Sequence, residues 1–136
     1  MTDDRQTLLI ADDDGGLRET LADVFDPYFD VVTAEDGRGA LQFLRSRPAD
    51  IALFDVQMGD ISGLDVIQDV RERRLILPCL LMTARPSDEV LRTAADLGVE
   101  PVLRKPFGVR QVVNSVRMLI ERAYGIAAVP PSLGLN

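Results

Sequence analysis

The sequence contains no histidine and no tryptophan, and it has a single cysteine among its 136 residues. Without histidine, the chain itself cannot supply a histidine general base, a histidine metal ligand or a phosphohistidine intermediate. The single cysteine, Cys79, excludes an internal disulfide and a cysteine metal site. Because Cys79 lies in an apolar run, we expect it to be a small buried core residue.

Positive charge and long apolar runs are also scarce. The 15 basic residues face 22 acidic ones, which gives a net charge of −7. This balance disfavours binding to nucleic acid phosphates, and no basic amphipathic stretch is present for a membrane surface. No apolar run is long enough to cross a bilayer, and residues 1–8 are too polar for a signal peptide. We therefore expect a cytoplasmic protein in which this chain binds neither nucleic acid nor membrane directly.

What the chain does contain is a regular alternation of short apolar runs and helical patterns. Hydrophobic residues make up 46% of the sequence, which predicts one folded domain. A helix is predicted after each apolar run, with Ser87 as the N-cap of the fourth helix, Gly98 at its end, and the fifth helix over Val109–Tyr124. The predicted strands are Thr7–Ala11, Phe29–Ala34, Ile51–Asp55, Leu77–Thr83 and a segment within Val99–Arg104.

Five such units predict an α/β fold, a flavodoxin-like doubly wound sheet of five parallel strands in the order 2-1-3-4-5. We assign residues 1–124 to this domain. Residues 125–136 carry no charge and include Pro130 and Pro131, so we expect a C-terminal tail or the start of a linker. A flexible tail is the simplest form of that segment, and a segment docked on the surface of the domain is the alternative.

Acidic residues follow the first and third predicted strands. Ile51–Asp55 reads as a buried strand that ends in a carboxylate, and Asp12 and Asp13 follow the first strand. Since these strands are neighbours in the predicted order, the three carboxylates should converge and repel one another. A divalent cation such as Mg²⁺ would offset that repulsion, with a backbone carbonyl after Asp55 as a further ligand. Alternatively, Asp12–Asp14 cap the first helix, which is compatible with metal binding.

Two further polar groups follow the fourth and fifth strands on the same edge of the sheet. Thr83 ends the fourth strand and offers a hydroxyl donor, and Lys105 follows the fifth strand. Pro106 disfavours helical geometry at Lys105, so the amine is placed by a turn. Either residue alone would be an ordinary turn or surface residue, but together with the acids they form a set around Asp55.

The ordered motifs make this pattern specific. They are Asp12–Asp13 after LLIA, Asp55 in LFDVQMGDISG, Thr83–Ala84 in LLMTA, Leu97–Gly98, and Lys105–Pro106–Phe107 after Leu103. With these motifs in order and at the spacing of the family, the run from Leu8 to Leu119 resembles the receiver domain of bacterial two-component response regulators.

The resemblance implies a role for each matched residue. Asp55 would accept a phosphoryl group from a sensor histidine kinase or a histidine phosphotransfer protein. Asp12, Asp13, Asp55 and the backbone carbonyl of Gln57 would hold Mg²⁺. Thr83 would be the switch hydroxyl, and Lys105 would pair with the phosphoryl group next to a cis Lys105–Pro106 bond. The chain would then be a switch and not a turnover enzyme, with helix four, strand five and helix five as its output face and a homodimer as one possible output.

The sequence departs from the family pattern near that output face. Val102 stands where the family usually has an aromatic residue, Gly59 stands where it usually has proline, and Pro101 is also unusual. Gln57 and Arg85 occupy positions that tune the lifetime of the acyl phosphate in the family. These departures suggest a changed output surface with phosphorylation retained.

Other functions remain as alternatives. The chain could be a degenerate receiver that acts only as a protein-binding module, or the receiver fragment of a longer DNA-binding regulator. A Mg²⁺-dependent phosphohydrolase with an aspartyl nucleophile typically needs a second acid two residues after the nucleophile, where this chain has Gln57. The G-x-x-x-x-G-K-[ST] pattern of a P-loop is absent.

Overall fold

In the computed structural model, which describes residues 5–134, five strands alternate with five helices and form one parallel sheet in the order β2-β1-β3-β4-β5. This confirms the predicted fold and strand order. The strands are β1 (Thr7–Ala11), β2 (Asp30–Ala34), β3 (Ile51–Asp55), β4 (Cys79–Thr83) and β5 (Val102–Arg104). The helices are α1 (Gly15–Phe25), α2 (Gly37–Ser46), α3 (Gly63–Glu72), α4 (Asp88–Asp96) and α5 (Val109–Tyr124).

The sheet is covered on both faces because β3 and β4 are apolar along nearly their whole length and fully buried. On one face, Leu21 and Phe25 of α1 and Val116 of α5 pack on Leu53. On the other face, α2, α3 and α4 pack on the alternate residues of the strands, such as Phe54. Because all five strands are parallel, their carboxyl ends meet at the same edge of the sheet, between the two helical layers.

Most helices begin at this edge with a polar cap. The side chains of Asp14, Asp36, Ser62 and Ser87 each accept a hydrogen bond from a backbone N–H in the first turn of α1, α2, α3 and α4. Ser87 is thus the N-cap that the sequence predicts. Gly98 ends the fourth helical segment with φ of +74°, a conformation that favours glycine.

β2 begins at Asp30, one residue later than predicted, and two other strands begin directly after a proline. β4 starts at Cys79 instead of Leu77, and β5 starts at Val102 within the predicted segment. Pro78 and Pro101 have no N–H to donate to a neighbouring strand, so the ladder cannot extend through them as a regular pair. Cys79 is buried as predicted, and burial raises the pKa of its thiol to about 12.

The C-terminal segment is docked on the domain through its last described residues. A 3-10 helix spans Ile126–Ala128, and Leu133 is 2% exposed within the apolar layer of α1 and α5. Up to Gly134 the segment therefore packs on the domain, and its assignment as a tail or as the start of a linker stays a prediction. Residues 135–136 of that segment and residues 1–4 at the start of the predicted domain lie outside the described residues.

Candidate functional site at the carboxyl edge of the sheet

Asp55 is the last residue of β3, and its side chain is 5% exposed. The backbone that follows it is held by two hydrogen bonds, from the N–H of Val56 to the carbonyl of Met82 and from the N–H of Gly63 to the carbonyl of Val56. Gly63 permits this close approach, because a Cβ at that position would lie 2.5 Å from the carbonyl oxygen of Asp55. The start of α3 therefore packs directly on the backbone of Asp55 and restricts its movement.

Asp12 and Asp13 lie beside Asp55, as the predicted strand order requires. One carboxylate oxygen from each of the three residues lies within 4.8 Å of the others; Asp12 and Asp55 are buried and Asp13 is exposed. The capping alternative applies to the third acid, since Asp14 accepts a hydrogen bond of 3.2 Å from the N–H of Leu17. Oδ1 of Asp12 instead accepts from the N–H of Asp14 at 2.9 Å, which directs its other oxygen into the site.

Lys105 reaches both buried carboxylates. Its Nζ lies 2.8 Å from Oδ2 of Asp12 and 3.3 Å from Oδ2 of Asp55. Its backbone N–H donates to the carbonyl of Thr83 at 2.8 Å, and the Lys105–Pro106 peptide bond is cis, as the resemblance implies. The turn after β5 therefore places the ammonium group of Lys105 between the buried acid that follows β1 and the buried acid that ends β3.

Burial and charge perturb the proton affinities of this group. Burial first, and the charge of Asp12 second, raise the pKa of Asp55 to about 6, although Lys105 and the hydrogen bond from the N–H of Gln57 act to lower it. Burial lowers the pKa of the Lys105 ammonium, but its hydrogen bond and charge interactions with Asp12 and Asp55 outweigh burial and give a raised pKa. Asp55 is therefore ionised at neutral pH less completely than a surface carboxylate, and Lys105 is protonated.

Thr83 ends β4 beside the same cluster and is fully buried. Its hydroxyl donates to Oε1 of Gln57 at 3.1 Å and accepts from the N–H of Arg85 at 3.0 Å. The N–H of Gln57 in turn donates to Oδ1 of Asp55 at 3.3 Å. The residue two positions after Asp55 therefore touches both the acid at the end of β3 and the hydroxyl at the end of β4.

Two contributions to this site were missed in the sequence. The side chain of Gln57 bonds Thr83, although the sequence indicated only its backbone carbonyl and its flanking position. The guanidinium of Arg18 donates to the carbonyl of Asp12 at 2.8 Å and braces the turn between β1 and α1. A basic residue one turn into a helix that follows three acids is a sequence signal for such a brace, but its partner depends on the turn geometry.

The donor set suits a hard divalent cation. Three carboxylates supply oxygen ligands, and two of them are buried, where their mutual repulsion is least screened by water. Within residues 5–134 this cluster could therefore hold Mg²⁺.

No helix within residues 5–134 is long and apolar enough to cross a membrane.

Comparisons with known proteins agree with the geometry. Residues 8–117 match the family model described as response regulator receiver domain. The chain is 35% identical to the response regulator MprA of Mycolicibacterium vanbaalenii over 117 residues, which cover 85% of this chain and 50% of MprA. It is 29% identical to the transcriptional regulatory protein CiaR of Streptococcus pneumoniae over 116 residues, which cover 85% of this chain and 52% of CiaR.

A solved structure gives the same result for the fold. The chemotaxis protein CheY4 of Vibrio cholerae aligns with a TM-score of 0.77 at 25% identity, over 85% of this chain and 98% of CheY4. In contrast, the chain spans about half the length of the curated relatives it matches.

Proposed function

Since the chain belongs to the response regulator receiver domain family of two-component systems, we propose that it is a switch that accepts a phosphoryl group on Asp55. The observation that carries this proposal is the position of Lys105, within 3.3 Å of both buried acids of the cluster. A buried nucleophilic carboxylate with an adjacent ammonium group and further acids suits phosphoryl transfer, where positioning and charge neutralisation dominate.

The donor in this proposal is the phosphohistidine of a sensor histidine kinase or a histidine phosphotransfer protein. A carboxylate oxygen of Asp55 attacks the phosphorus, the P–N bond to the histidine breaks, and an acyl phosphate forms. A pKa of about 6 leaves Asp55 mostly ionised, and therefore nucleophilic, at pH 7.5. Lys105 stays protonated and stabilises the negative charge on the transferring group from its position beside Asp55.

Asp12, Asp13, Asp55 and the backbone carbonyl of Gln57 would hold Mg²⁺, which when bound neutralises charge on the phosphoryl oxygens. The chain itself contributes the placement of these oxygens. Asp12 is oriented by the N–H of Asp14, and the backbone of Asp55 is held by the close approach of Gly63. These constraints fix the ligand set before phosphorylation, which reduces the reorganisation that transfer requires.

The output in this proposal is a rearrangement of the face formed by α4, β5 and α5. The hydroxyl of Thr83 would donate a hydrogen bond to the new phosphoryl group. Residues 84–87, which connect β4 to α4, would move with Thr83. Val102 is half-buried in β5 and packs with the apolar layer under α4. Because valine has no ring to rotate inward, this face would change through the loop and the helix and not through an aromatic side chain.

A cleft of about 390 Å³ beside Lys105 supports the approach of a phosphodonor at this edge. It is lined by Asp14, Leu17, Ala84, Lys105, Pro106 and Phe107. An imidazole that enters there would reach the ammonium group of Lys105, which lies 3.3 Å from Oδ2 of Asp55. In this proposal the chain works in the cytoplasm, where its phosphodonor presents the histidine, and acts once per signal as a switch and not as a turnover enzyme.

The relatives support a second reading of the same function. Because the chain spans about half of relatives such as CiaR, which is named as a transcriptional regulatory protein, it could be the receiver part of a longer DNA-binding regulator. In that case phosphorylation would act through dimerisation of the receiver. Light scattering after gel filtration, with and without beryllofluoride, tests this directly, since an unchanged molar mass contradicts a phosphorylation-driven homodimer.

The proposed function is tested by intact-protein mass after incubation with acetyl phosphate. We expect a gain of one phosphoryl group in the presence of Mg²⁺, and none with Asp55→Asn or with the metal chelated. No gain in the native chain, together with no Mg²⁺ binding by calorimetry, would indicate the degenerate, protein-binding alternative. A gain that persists in Asp55→Asn would place the phosphoryl group elsewhere and refute the role of Asp55.

A further inference from the structure

We infer that Gln57 is a positioning residue that restrains the hydroxyl of Thr83 before phosphorylation and thereby sets how readily the switch turns on. The inference rests on the proposed function and concerns the regulation of the same site. Its basis is the hydrogen bond of 3.1 Å from Oγ1 of Thr83 to Oε1 of Gln57, which joins residues 26 positions apart at the ends of β3 and β4.

In the observed state, the hydroxyl of Thr83 uses its single donor and one of its two acceptor sites. Thr83 is fully buried, donates to Gln57, and accepts from the N–H of Arg85 at 3.0 Å. Water cannot replace either partner without entering a buried position. The side chain of Thr83 is therefore held in one orientation by hydrogen bonds with two residues.

Competition follows from the chemistry of a hydroxyl group. A threonine hydroxyl has one O–H to donate, so it cannot bond Gln57 and a phosphoryl oxygen at the same time. The hydrogen bond to Gln57 must break before Thr83 can engage a phosphoryl group on Asp55. A charged phosphoryl oxygen is a stronger acceptor than a neutral amide oxygen, so phosphorylation still shifts Thr83 away from Gln57.

The restraint on Thr83 is modest in free energy because Gln57 is exposed to solvent. Once released, its amide oxygen is solvated, so breaking the bond costs only the modest net value of a neutral hydrogen bond. The backbone N–H of Gln57 donates to Asp55 and does not depend on the side chain. A substitution at position 57 can therefore change the restraint on Thr83 while the backbone of the site stays in place.

A double-mutant cycle on equilibrium binding of beryllofluoride in saturating Mg²⁺ tests the inference. Beryllofluoride mimics the phosphoryl group and cannot be hydrolysed as an acyl phosphate can, so an effect of Gln57 on hydrolysis does not enter the measurement. The variants are Gln57→Met, which keeps the length but loses the amide acceptor, Thr83→Val, which removes the hydroxyl, and the double variant. Affinities are measured by calorimetry, with Asp55→Asn as the control for site-specific binding.

We expect Gln57→Met to bind beryllofluoride about threefold to tenfold more tightly, as the loss of one net neutral hydrogen bond implies. In the Thr83→Val background, Gln57→Met should change the affinity by less than about twofold, because no hydroxyl remains to restrain. In the free protein, the backbone amide resonance of Arg85 should shift in Gln57→Met, since its acceptor, Oγ1 of Thr83, gains freedom. This spectroscopic change requires neither metal nor phosphoryl group.

Two results would overturn the inference while leaving the proposed function intact. The first is equal affinity of the native chain and Gln57→Met, and the second is the same gain in both Thr83 backgrounds. A native chain that binds no beryllofluoride would instead overturn the proposed function, and the inference with it.

Discussion

Lys105 lies closer to Asp12 than to Asp55, at 2.8 Å against 3.3 Å between charged atoms. Asp12 is fully buried and Asp55 nearly so, whereas the side chain of Lys105 is 17% exposed. One ammonium group therefore compensates two buried carboxylates, and its shorter contact is with Asp12, the residue that follows β1. This arrangement makes Lys105 a structural partner of the acidic cluster before any phosphoryl group arrives.

Replacement of Lys105 by methionine should therefore destabilise the metal-free protein more than the metal-bound protein. Without metal, we expect a loss of about 1 to 3 kcal/mol in the free energy of unfolding, because two buried charges lose their partner. Saturating Mg²⁺ should recover most of it by compensating the same carboxylates. Urea unfolding in chelator and in Mg²⁺ measures both values.

Arg45→Met is the matched control, because its pair with Asp69 is 3.7 Å long and Arg45 is exposed. It should change stability by less than about 0.5 kcal/mol in either condition. Equal losses for Lys105→Met with and without Mg²⁺ would contradict the assignment of Lys105 as a partner of the acidic cluster.

The raised pKa of Asp55 predicts a pH-dependent stability difference for Asp55→Asn. Burial, with the charge of Asp12, raises the pKa from 3.8 to about 6, so the folded state binds this proton more tightly than the unfolded state does. Stability therefore falls as pH rises from about 4 to about 6. Metal-free Asp55→Asn should be more stable than the native chain at pH 7.5, by about 3 kcal/mol, and the two should converge near pH 4.

Thermal unfolding in chelator across this pH range measures the difference. A constant difference between the two proteins from pH 4 to pH 7.5 would mean that Asp55 does not titrate near 6 in the folded chain.

The fold could be predicted because several local signals agree with one topology. Apolar runs of strand length alternate with helical stripes, and polar caps such as Ser87 mark where helices start. The apolar stripe of α4 was less reliable. Leu91 is apolar but 45% exposed, because the helix packs through Val90, Ala94 and Leu97, and Leu91 lies about 100° further round it.

The site was predictable to the level of which residues converge, and less so in how they bond. Strand order alone brings Asp12 and Asp13 to Asp55, since β1 and β3 are neighbours. Which of the three consecutive acids caps α1 depends on the residue at which the helix begins. The helix begins at Gly15, so Asp14 is the N-cap. The hydrogen bond between Gln57 and Thr83 joins the loop after β3 to the last residue of β4. No sequence periodicity predicts such a pair.

Gly63→Ala should damage both the fold and the acceptor site. The added Cβ would lie 2.5 Å from the carbonyl oxygen of Asp55 and 3.0 Å from Cβ of Phe54, so backbone must move. We expect a loss of about 1 to 3 kcal/mol in the free energy of unfolding, as for other overpacked positions. Phosphorylation by acetyl phosphate should slow as well, since Asp55 is displaced.

Gly15→Ala serves as the control, because the added Cβ would meet only the flexible end of Arg18 at 3.5 Å. It should be neutral or slightly stabilising, since alanine favours helix more than glycine does. Equal stabilities of the two variants by urea unfolding would refute the close approach of α3 to Asp55.

Leu133→Ala tests the docking of the C-terminal segment on the domain. Leu133 is 2% exposed and packs in the layer of α1 and α5, whereas Ile126 in the same segment is 73% exposed. We expect Leu133→Ala to cost about 1 to 3 kcal/mol, at or below the usual range for a buried leucine, because the segment can detach instead of leaving a cavity. Ile126→Ala should change stability by less than about 0.5 kcal/mol.

Detachment also sets an upper limit on the cost of any change in this segment. Once the segment is released, further damage to it has no effect on the folded domain, so the charged substitution Leu133→Asp and deletion of residues 126–136 should give the same free energy of unfolding. That shared value measures how strongly the segment docks on the domain. A Leu133→Asp variant clearly less stable than the deletion would show that the segment does not detach and that Leu133 belongs to the cooperative core of the domain.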